Sequence, residues 1–580
     1  MLTLVWFMLL VTVVELRIGQ MRIRPGKRFN DLFQLTMMAV VLVFLLVLLS
    51  MGPFAETVTT PDTAWRLALY PNGMGLVLSF QTPEMILHPI LIFAGYSFCL
   101  CVFSASLAHF VTKEQDWVPV SRRWSRLAWL FMTLGIGIGA LWAYYEIGWG
   151  GYWSWDPVET SSLLIWLLIT AFLHTQARHA MWKEYQILCP ALGMLSFISV
   201  LFTTFVARAG GLWIGSVHTF NISTGQAAGE RLIEVLQNSP QVSGLLFLMV
   251  VLLILTFAFS LSKHKSLAED KKRKENGKEN FPVNDRNNML LGVGLLIVTV
   301  LVMLFILIKN VDATQASNYE EFNQKMSVFA VAIVVAMSVC LIWRNVGQRI
   351  AMKVAILLVL LSVALAAIGA MIQLSPLAAF ALPSFLVTAC IAVFRIVRSG
   401  SKGSLGRTLR NVAPQLIHLG IALTLIGYVF SSTLQVSPTA GGDMPLRVGE
   451  SVDLGDYTVR LIDLEMRSLP PPASQIYNAK GSAIFDVSKS GDLVESNITV
   501  SNLYYSSGTE LSKASAGVHV HKTFFEDLYL DFDWLNNSTA LIHVKVIPLI
   551  NVLWAGLSAL CIGMTLQVAL GRQDSMSAQT

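Results

Sequence analysis

Apolar residues along this chain gather into runs of about twenty, the length that crosses a bilayer core, with short polar segments between them. These runs predict spans over roughly 2–18, 32–51, 86–110, 126–147, 160–178, 185–206, 241–262, 288–309, 326–343, 354–374, 377–394, 412–434 and 546–569. The first is short and lacks a small-residue cleavage site, which favours a span or anchor over a signal peptide. One long stretch, 435–545, breaks the pattern. Its polar and apolar positions alternate, with turns between strand-like pieces such as Tyr457–Ile462, Ala483–Val487, Asn497–Val500 and Val518–His521. The expected fold is an all-α polytopic membrane protein of about 13 transmembrane helices, with a small outer β-rich domain before the last helix. The expected division is a helical core over 1–434 carrying an outer loop at 148–159, a β-rich domain over 435–545, and a final helix with a short cytoplasmic tail over 546–580.

Basic residues orient the spans. Arg17 to Arg28, Lys113 to Arg126, Arg178 to Lys183, Lys263 to Arg286, Arg344 to Lys353 and Arg395 to Arg410 occupy every second connection, which the positive-inside rule makes cytoplasmic. The alternate connections, 52–85, 148–159, 207–240, 310–325 and 435–545, then lie outside. The outer β-rich stretch carries 14 acidic against 8 basic residues. The basic loop 263–286 is read as a solvated cytoplasmic segment, with no nucleic-acid role. Composition agrees: 54% of residues are hydrophobic and 13% charged, against about 25% charged in a soluble chain. A purely soluble enzyme and a disordered scaffold are excluded. The six cysteines all sit in apolar runs and none forms C-x-x-C, so a disulfide framework or zinc site is not expected. Without C-x-x-C-H the chain does not attach a c-type haem to itself.

The densest aromatic segment is Trp149 to Glu159, on an outside loop. Trp149, Tyr152, Trp153 and Trp155, with Gly150 and Gly151 and closed by Asp156 and Pro157, could be an interfacial aromatic belt. Belts spread their aromatics over many helix ends, however, and this concentration also suits a platform for a large planar ligand. Histidine placement bears on the choice. His88 opens a span at the outer face, and His218 lies on the outside loop 207–240, the same side as the aromatic loop. His174 lies fourteen residues into a span running inward, and His418 about six residues into one running outward. At about 1.5 Å per residue both sit in the inner half of the membrane. A lone intramembrane histidine is commonly an interhelical hydrogen bond. Two at matched depth, with a second pair outside, look more like axial ligands of two haem irons. The other histidines, at 109, 179, 264, 519, 521 and 543, read as loop or surface residues.

Arg208, an outside base beside glycines, could bind a propionate or quinol oxygen or could simply snorkel. Glu146 and Asp156 flank the aromatic loop and are read as capping or hydrogen-bonding groups rather than acid–base catalysts. Tyr504 with Tyr505, and Phe524, Phe525 and Tyr529, are read as core strand positions.

These residues resemble a known pattern. Trp149 to Glu159 is similar to the tryptophan-rich WWD signature of haem-handling proteins in cytochrome c maturation. Trp124, Trp129, the Gly135–Gly139 repeat and Trp142 to Glu146 resemble the CcmF/NrfE-type haem lyases. So do His88 with Pro89, Gly95 with Tyr96, Arg208 to His218, His418 to Gly420, and Asp527 to Tyr529 before the last span. The resemblance runs from about residue 72 to 570. The chain departs from the pattern at Ile90 and Thr160 and in a shorter region before 72.

The resemblance implies a prokaryotic cytoplasmic-membrane haem lyase. It implies an outer, exchangeable haem b ligated by His88 and His218 over the aromatic loop, and an intramembrane haem b ligated by His174 and His418. It implies quinol as a possible reductant. The implied partners are haem, apocytochrome c, a haem chaperone, other maturation proteins and membrane lipid. Two other classes remain open at this point: a haem transporter or exporter, and a quinol-oxidising electron-transfer subunit. The lack of a phosphate-binding G-x-x-x-x-G-K-[ST] motif excludes an intrinsic ATP-driven pump.

Overall fold

Hydropathy explains most of the architecture, because a backbone in lipid must satisfy its own hydrogen bonds and does so as helix. The structure, a computed structural model, describes residues 2–21, 26–50, 52, 80–114, 117–148, 151–209, 212–213, 218, 227–274, 283–309, 311, 319–346, 348–371, 375–400, 404–439, 443–469, 479–507, 510–515 and 517–570. The first helices are α1 (Leu2–Met21), α2 (Lys27–Ser50), α3 (Pro83–Thr112), α4 (Val118–Trp142), α5 (Pro157–Trp182) and α6 (Leu188–Arg208). A short amphipathic α7 (Ala228–Asn238) precedes α8 (Pro240–Lys274) and α9 (Val283–Lys309). Then come α10 (Tyr319–Val346), α11 (Gln348–Met371), α12 (Pro376–Gly400) and α13 (Leu405–Thr433). Among the described residues nine β-strands follow, and α14 (Ile550–Leu570) ends the described chain. Among the described residues, 12 helices are long and apolar enough to cross a membrane. The apolar α1 packs beside them on α2 and α3.

The bundle is densest around α3 to α6, where Cys99, Leu100, Phe103, Trp129, Phe172 and Phe197 are fully buried. Helices α8, α9 and α11 instead expose Phe247, Phe257, Phe305, Leu357 and Leu360, the surface that lipid covers in a spanning protein. Two helix pairs approach closely through glycine. A Cβ at Gly135 of α4 would lie 2.7 Å from the Ile92 side chain of α3, and one at Gly420 of α13 would lie 2.8 Å from the Leu560 backbone nitrogen of α14. Small residues at such crossings let backbones meet, which is how helices associate without a hydrophobic driving force.

Between α13 and α14 the strands build a sandwich of two antiparallel sheets. One has order β1-β9-β8-β7 (Asp443–Arg447, Thr539–Pro548, Glu526–Asn536, His519–Lys522). The other has order β2-β3-β4-β5-β6 (Ser451–Leu454, Tyr457–Ser468, Ala479–Lys489, Asp492–Ser507, Glu510–Ser515). Alternate residues of β4 and β9, including Ala483, Phe485, Ile542 and Val544, fill the space between the sheets. Tyr504 and Tyr529 are buried as core positions, but Phe524 and Phe525 are 81% and 68% exposed. They form the turn into β8, where the Leu549 N–H donates to the Phe525 carbonyl immediately before α14. Their position at a turn, rather than within a strand, is why the core reading does not hold for them.

The sandwich is fastened to the end of the bundle that carries the aromatic loop. Tyr144 donates to Asp527 Oδ2 at 3.2 Å, and Lys522 lies 4.1 Å over the Tyr145 ring. Both tyrosines belong to a π-helical turn, Ala143–Ile147, that continues α4.

Candidate functional site

The aromatic loop is shaped by the helix start that follows it. Asp156 is the N-cap of α5: its Oδ2 accepts from the Val158 N–H at 2.8 Å, with Pro157 at the first helical position. Glu159 completes a capping box, its Oε2 accepting from the Asp156 N–H at 3.3 Å and from the N–H and hydroxyl of Ser154 at 3.1 and 3.0 Å. The tail of the aromatic segment, Ser154 to Glu159, is therefore a helix-initiation device.

The aromatic side chains do not form one open surface. Trp155 takes a left-handed backbone (φ 57), a conformation costing of order ~1 kcal/mol outside glycine. Its side chain turns inward, stacks on Phe322 of α10 at 5.8 Å, and donates from Nε1 to Asn323 Oδ1 at 2.7 Å. Tyr152 is also buried, its hydroxyl 2.7 Å from that of Ser431. These two are anchors, which corrects the picture of a flat platform at those positions. Trp153 stands edge-on to Trp155 at 5.9 Å and is half-buried, and its buried indole N–H has no hydrogen-bond partner among the described residues. Gly151 lies in the bend before it, whereas Trp149 and Gly150 lie outside the described residues.

His88 stands in the second turn of α3 against α4. Its Nδ1 is 2.8 Å from the Gly135 carbonyl, to which it donates, and its ring lies 6.3 Å from Trp142. A Cβ at Gly139 would come within 2.6 Å of His88 Nδ1, so Gly139 makes the space that the imidazole fills, while Gly135, one helical turn before it, lets Ile92 of α3 approach and supplies the carbonyl. His218 is held from the other side, with Nδ1 2.9 Å from Asp156 Oδ2. Burial pulls this histidine down, but the Asp156 hydrogen bond and the charges of Asp156 and Glu159 outweigh it and raise His218 above its ordinary value. The two imidazoles lie within electrostatic reach of each other. In both, Nδ1 is the nitrogen hydrogen-bonded to a protein acceptor. This is how metal-binding histidines are ordinarily oriented.

A second pair repeats the arrangement deeper in the bundle. His174 of α5 donates from Nδ1 to the Thr170 carbonyl at 2.8 Å, and His418 of α13 to the Pro414 carbonyl at 2.6 Å. His174 is exposed on its helix, His418 is half-buried, and the two are within electrostatic reach. Arg395 of α12 also reaches His418 electrostatically. Nδ1 is again the nitrogen hydrogen-bonded to a protein acceptor, and this donor set suits a bis-imidazole haem. Arg208, at the last turn of α6, is exposed.

Two histidines read as surface residues are buried instead. His109 and His179 end α3 and α5, with rings 6.0 Å apart and Trp117 between them. Trp117, from the next helix start, folds over them. Of the sandwich histidines, His519 and His521 share the Glu495 carboxylate at 2.7 and 2.6 Å. Asn323 and the Gly135–Gly139 seat had no chemical signal in the sequence, since one is a lone polar residue in an apolar run and the other is visible only as glycine spacing.

Comparison with known proteins decides the relationship. Residues 1–213 match the family model described as "Cytochrome C assembly protein". Cytochrome c-type biogenesis protein CcmF of Haemophilus influenzae is 27% identical over 550 residues, covering 88% of this chain and 75% of that protein. The Escherichia coli CcmF is 26% identical, covering 88% of this chain and 74% of its own. NrfE of Haemophilus influenzae is 27% identical, covering 84% and 72%. Along most of its length the chain is similar to the CcmF/NrfE-type cytochrome c biogenesis proteins. A solved structure titled "Cytochrome c Heme Lyase CcmF" superposes with a TM-score of 0.66 at 20% identity, covering 96% of this chain and 81% of that one. The CcmF-type fold thus extends through the sandwich and α14. His88 and the aromatic loop fall inside the matched family region, and His218 lies just beyond it.

Proposed function

We propose that this chain is a haem lyase of cytochrome c maturation in a prokaryotic cytoplasmic membrane, with the sandwich and aromatic loop on the outer face. The observation that carries the reading is the pair His88 and His218, each fixed through Nδ1 and within electrostatic reach of the other, beside a capped aromatic loop whose buried Trp153 N–H has no partner among the described residues. The substrate haem binds there with its iron between the two Nε2 atoms, and Trp153 and Arg208 are available to its polar edge. The chain's contribution is orientation. Holding one reactant in an attack-ready pose is worth up to about 7–11 kcal/mol without any protein nucleophile. Each thiol of a C-x-x-C-H segment adds across a vinyl group: a C–S bond forms, the S–H bond breaks, and the hydrogen ends on the neighbouring carbon, with no net oxidation.

His174 and His418 would hold a resident haem b, which supplies one-electron chemistry when bound, with quinol as the class of reductant. Arg395, near His418, suits a propionate. Apocytochrome c, a haem-delivering chaperone and other maturation proteins are the partners this reading requires. The division into 1–434, 435–545 and 546–580 gives the helical core the haem chemistry and leaves the sandwich as a rigid flank of the aromatic loop.

The test is a haem assay on the purified full chain, followed by addition of reduced apocytochrome. Loading should approach two b-type haems, and one should leave as thioether-linked product. Release of free haem without thioether would favour a transporter. Two haems that never leave would favour an electron-transfer subunit.

A further inference from the structure

Outer haem ligation by His88 and His218 leaves a question: which of the two gives way when the histidine of the incoming C-x-x-C-H segment needs an axial position. This inference rests on the proposed function and goes one step beyond it. The two histidines are unequal. His218 donates from Nδ1 to a carboxylate, Asp156 Oδ2 at 2.9 Å, whereas His88 donates to a neutral backbone carbonyl, Gly135 O at 2.8 Å. A carboxylate on Nδ1 makes the opposite nitrogen a stronger donor to a metal, and a carbonyl does so less.

The carboxylate is itself immobilised. Asp156 is 5% exposed, and the same Oδ2 accepts from Val158 as the cap of α5. The supports differ in kind as well as in charge. His88 is seated in the body of α3, wedged against Gly139 and followed by Pro89, so its position is set by the α3–α4 packing.

We propose that Asp156 is a positioning residue that makes His218 the retained ligand, and that His88 is the ligand surrendered to the substrate's histidine. The exchange is balanced as a ligand substitution. The Nε2–iron bond of His88 breaks, the Nε2–iron bond of the neutral substrate histidine forms, and no electron or proton changes hands.

The variant that separates charge from structure is Asp156→Asn. Asparagine still caps a helix and its Oδ1 still accepts from imidazole Nδ1–H, so the loop geometry is conserved while the charge is removed. In the haem-loaded full chain, Asp156→Asn should raise the midpoint potential of the outer haem and leave that of the inner haem unchanged. A merely structural role would lower haem occupancy without moving the potential of what remains. A second pair of variants reads the exchange itself. His88→Gly supplied with imidazole, a ligand that can leave, should still give thioether product on reduced apocytochrome. His218→Gly supplied with imidazole should bind haem but lose most of that product. An unshifted outer potential in Asp156→Asn, or product from imidazole-treated His218→Gly but not His88→Gly, would overturn the assignment while leaving the haem-binding reading intact. A wild-type chain that never takes up an outer haem would instead remove the underlying reading, and this inference with it.

Discussion

Helices α3 and α5 carry a histidine pair at each end, and the two ends could hardly differ more. At one end His88 and, through the Asp156 cap, His218 are each held through Nδ1, by the Gly135 carbonyl and the Asp156 carboxylate. At the other end His109 and His179 also donate from Nδ1, to the Glu114 and Glu184 carbonyls at 2.5 and 2.9 Å. The local geometry there is repeated. Each histidine's own carbonyl accepts from the backbone N–H of a lysine four residues on, Lys113 or Lys183, and both lysines sit in the left-handed C-cap conformation. Trp117 closes the second nitrogen: its Nε1 donates to His179 Nε2 at 3.3 Å, and its ring stacks on His109 at 4.9 Å. Burial and pairing therefore do not make a histidine a metal ligand. What differs is the covering: Trp117 lies against both rings at this end, whereas the outer pair is held by the Gly135 carbonyl and the Asp156 carboxylate.

The largest expected effect follows directly. His88→Ala or His218→Ala should abolish cytochrome c assembly in cells while the chain stays in the membrane with its inner haem. His109→Ala or His179→Ala should leave haem content per folded chain unchanged and lower the amount of folded chain. His174→Ala or His418→Ala should remove the inner haem and reduce accumulation, because a ligand that binds only the native state stabilises it by mass action. Haem spectra and immunoblots on the same membranes distinguish the three patterns. Haem loss in the His109 or His179 variants would break the contrast.

Much of this contrast was legible in the sequence, and the rest had a physical reason to be hidden. Hydropathy marks the spans because lipid imposes it, and the alternation in Tyr457–Ser468 and Ala479–Lys489 marks the sandwich because its two faces have different neighbours. His88, His218 and the aromatic loop stand out because polar and planar groups at span ends are few. Trp155 turning inward could not be read, since it depends on Phe322 and Asn323 more than 160 residues away. His109 and His179 look solvated because lysines flank them, and only the fold brings Trp117 across both. Phe524 and Phe525 carry a strand-like composition, but a turn beside the start of α14 leaves them outside the core.

A smaller perturbation tests the seat of His88 without touching the imidazole. Gly139→Ala adds a methyl group that would sit 2.6 Å from His88 Nδ1, so the ring must tilt away from Gly135. Disturbing the support of a metal ligand typically costs about 10–100-fold in affinity, and outer haem retention should fall within that range. Inner haem content should stay the same. Gly137→Ala, where an added Cβ meets only Leu557 at an ordinary 3.7 Å, is the matched control and should retain haem.

Trp117 offers the corresponding test at the closed end. Trp117→Ala removes a fully buried side chain and should cost about 3–5 kcal/mol. Trp117→Phe keeps most of the packing and loses the hydrogen bond to His179, about 1 kcal/mol. Thermal unfolding in detergent should rank the two in that order. Added haem should not bind at His179 even in Trp117→Phe, because the phenyl ring still fills the space over Nε2.

The sandwich supplies a third arrangement, in which both ring nitrogens meet carboxylates. His543 Nδ1 is 2.6 Å from Asp443 Oδ1 and Nε2 is 3.1 Å from Asp533 Oδ2, while Lys513 bridges Asp531 and Asp533. Burial lowers His543, but the hydrogen bonds to Asp533 and Asp443 and the surrounding acids outweigh it and raise it. The His543 hydrogen bond, reinforced by Lys513, depresses Asp533 to about 2. Buried Asp531 is raised, so its ionisation slightly opposes the network. The signs follow by linkage. A raised histidine stabilises fully below its unfolded value near ~6.5 and loses that contribution as pH climbs through its folded value. A depressed carboxylate stabilises above about 3.9 and loses it as pH falls through about 2. Amide protection in β1, β8 and β9, corrected for intrinsic exchange, should therefore be greatest between roughly pH 4 and 6.5 and decline on either side. His543→Gln should remove the decline on the alkaline side. An unchanged alkaline decline in that variant would place the titration elsewhere and remove His543 as the group that sets the upper limit of the window.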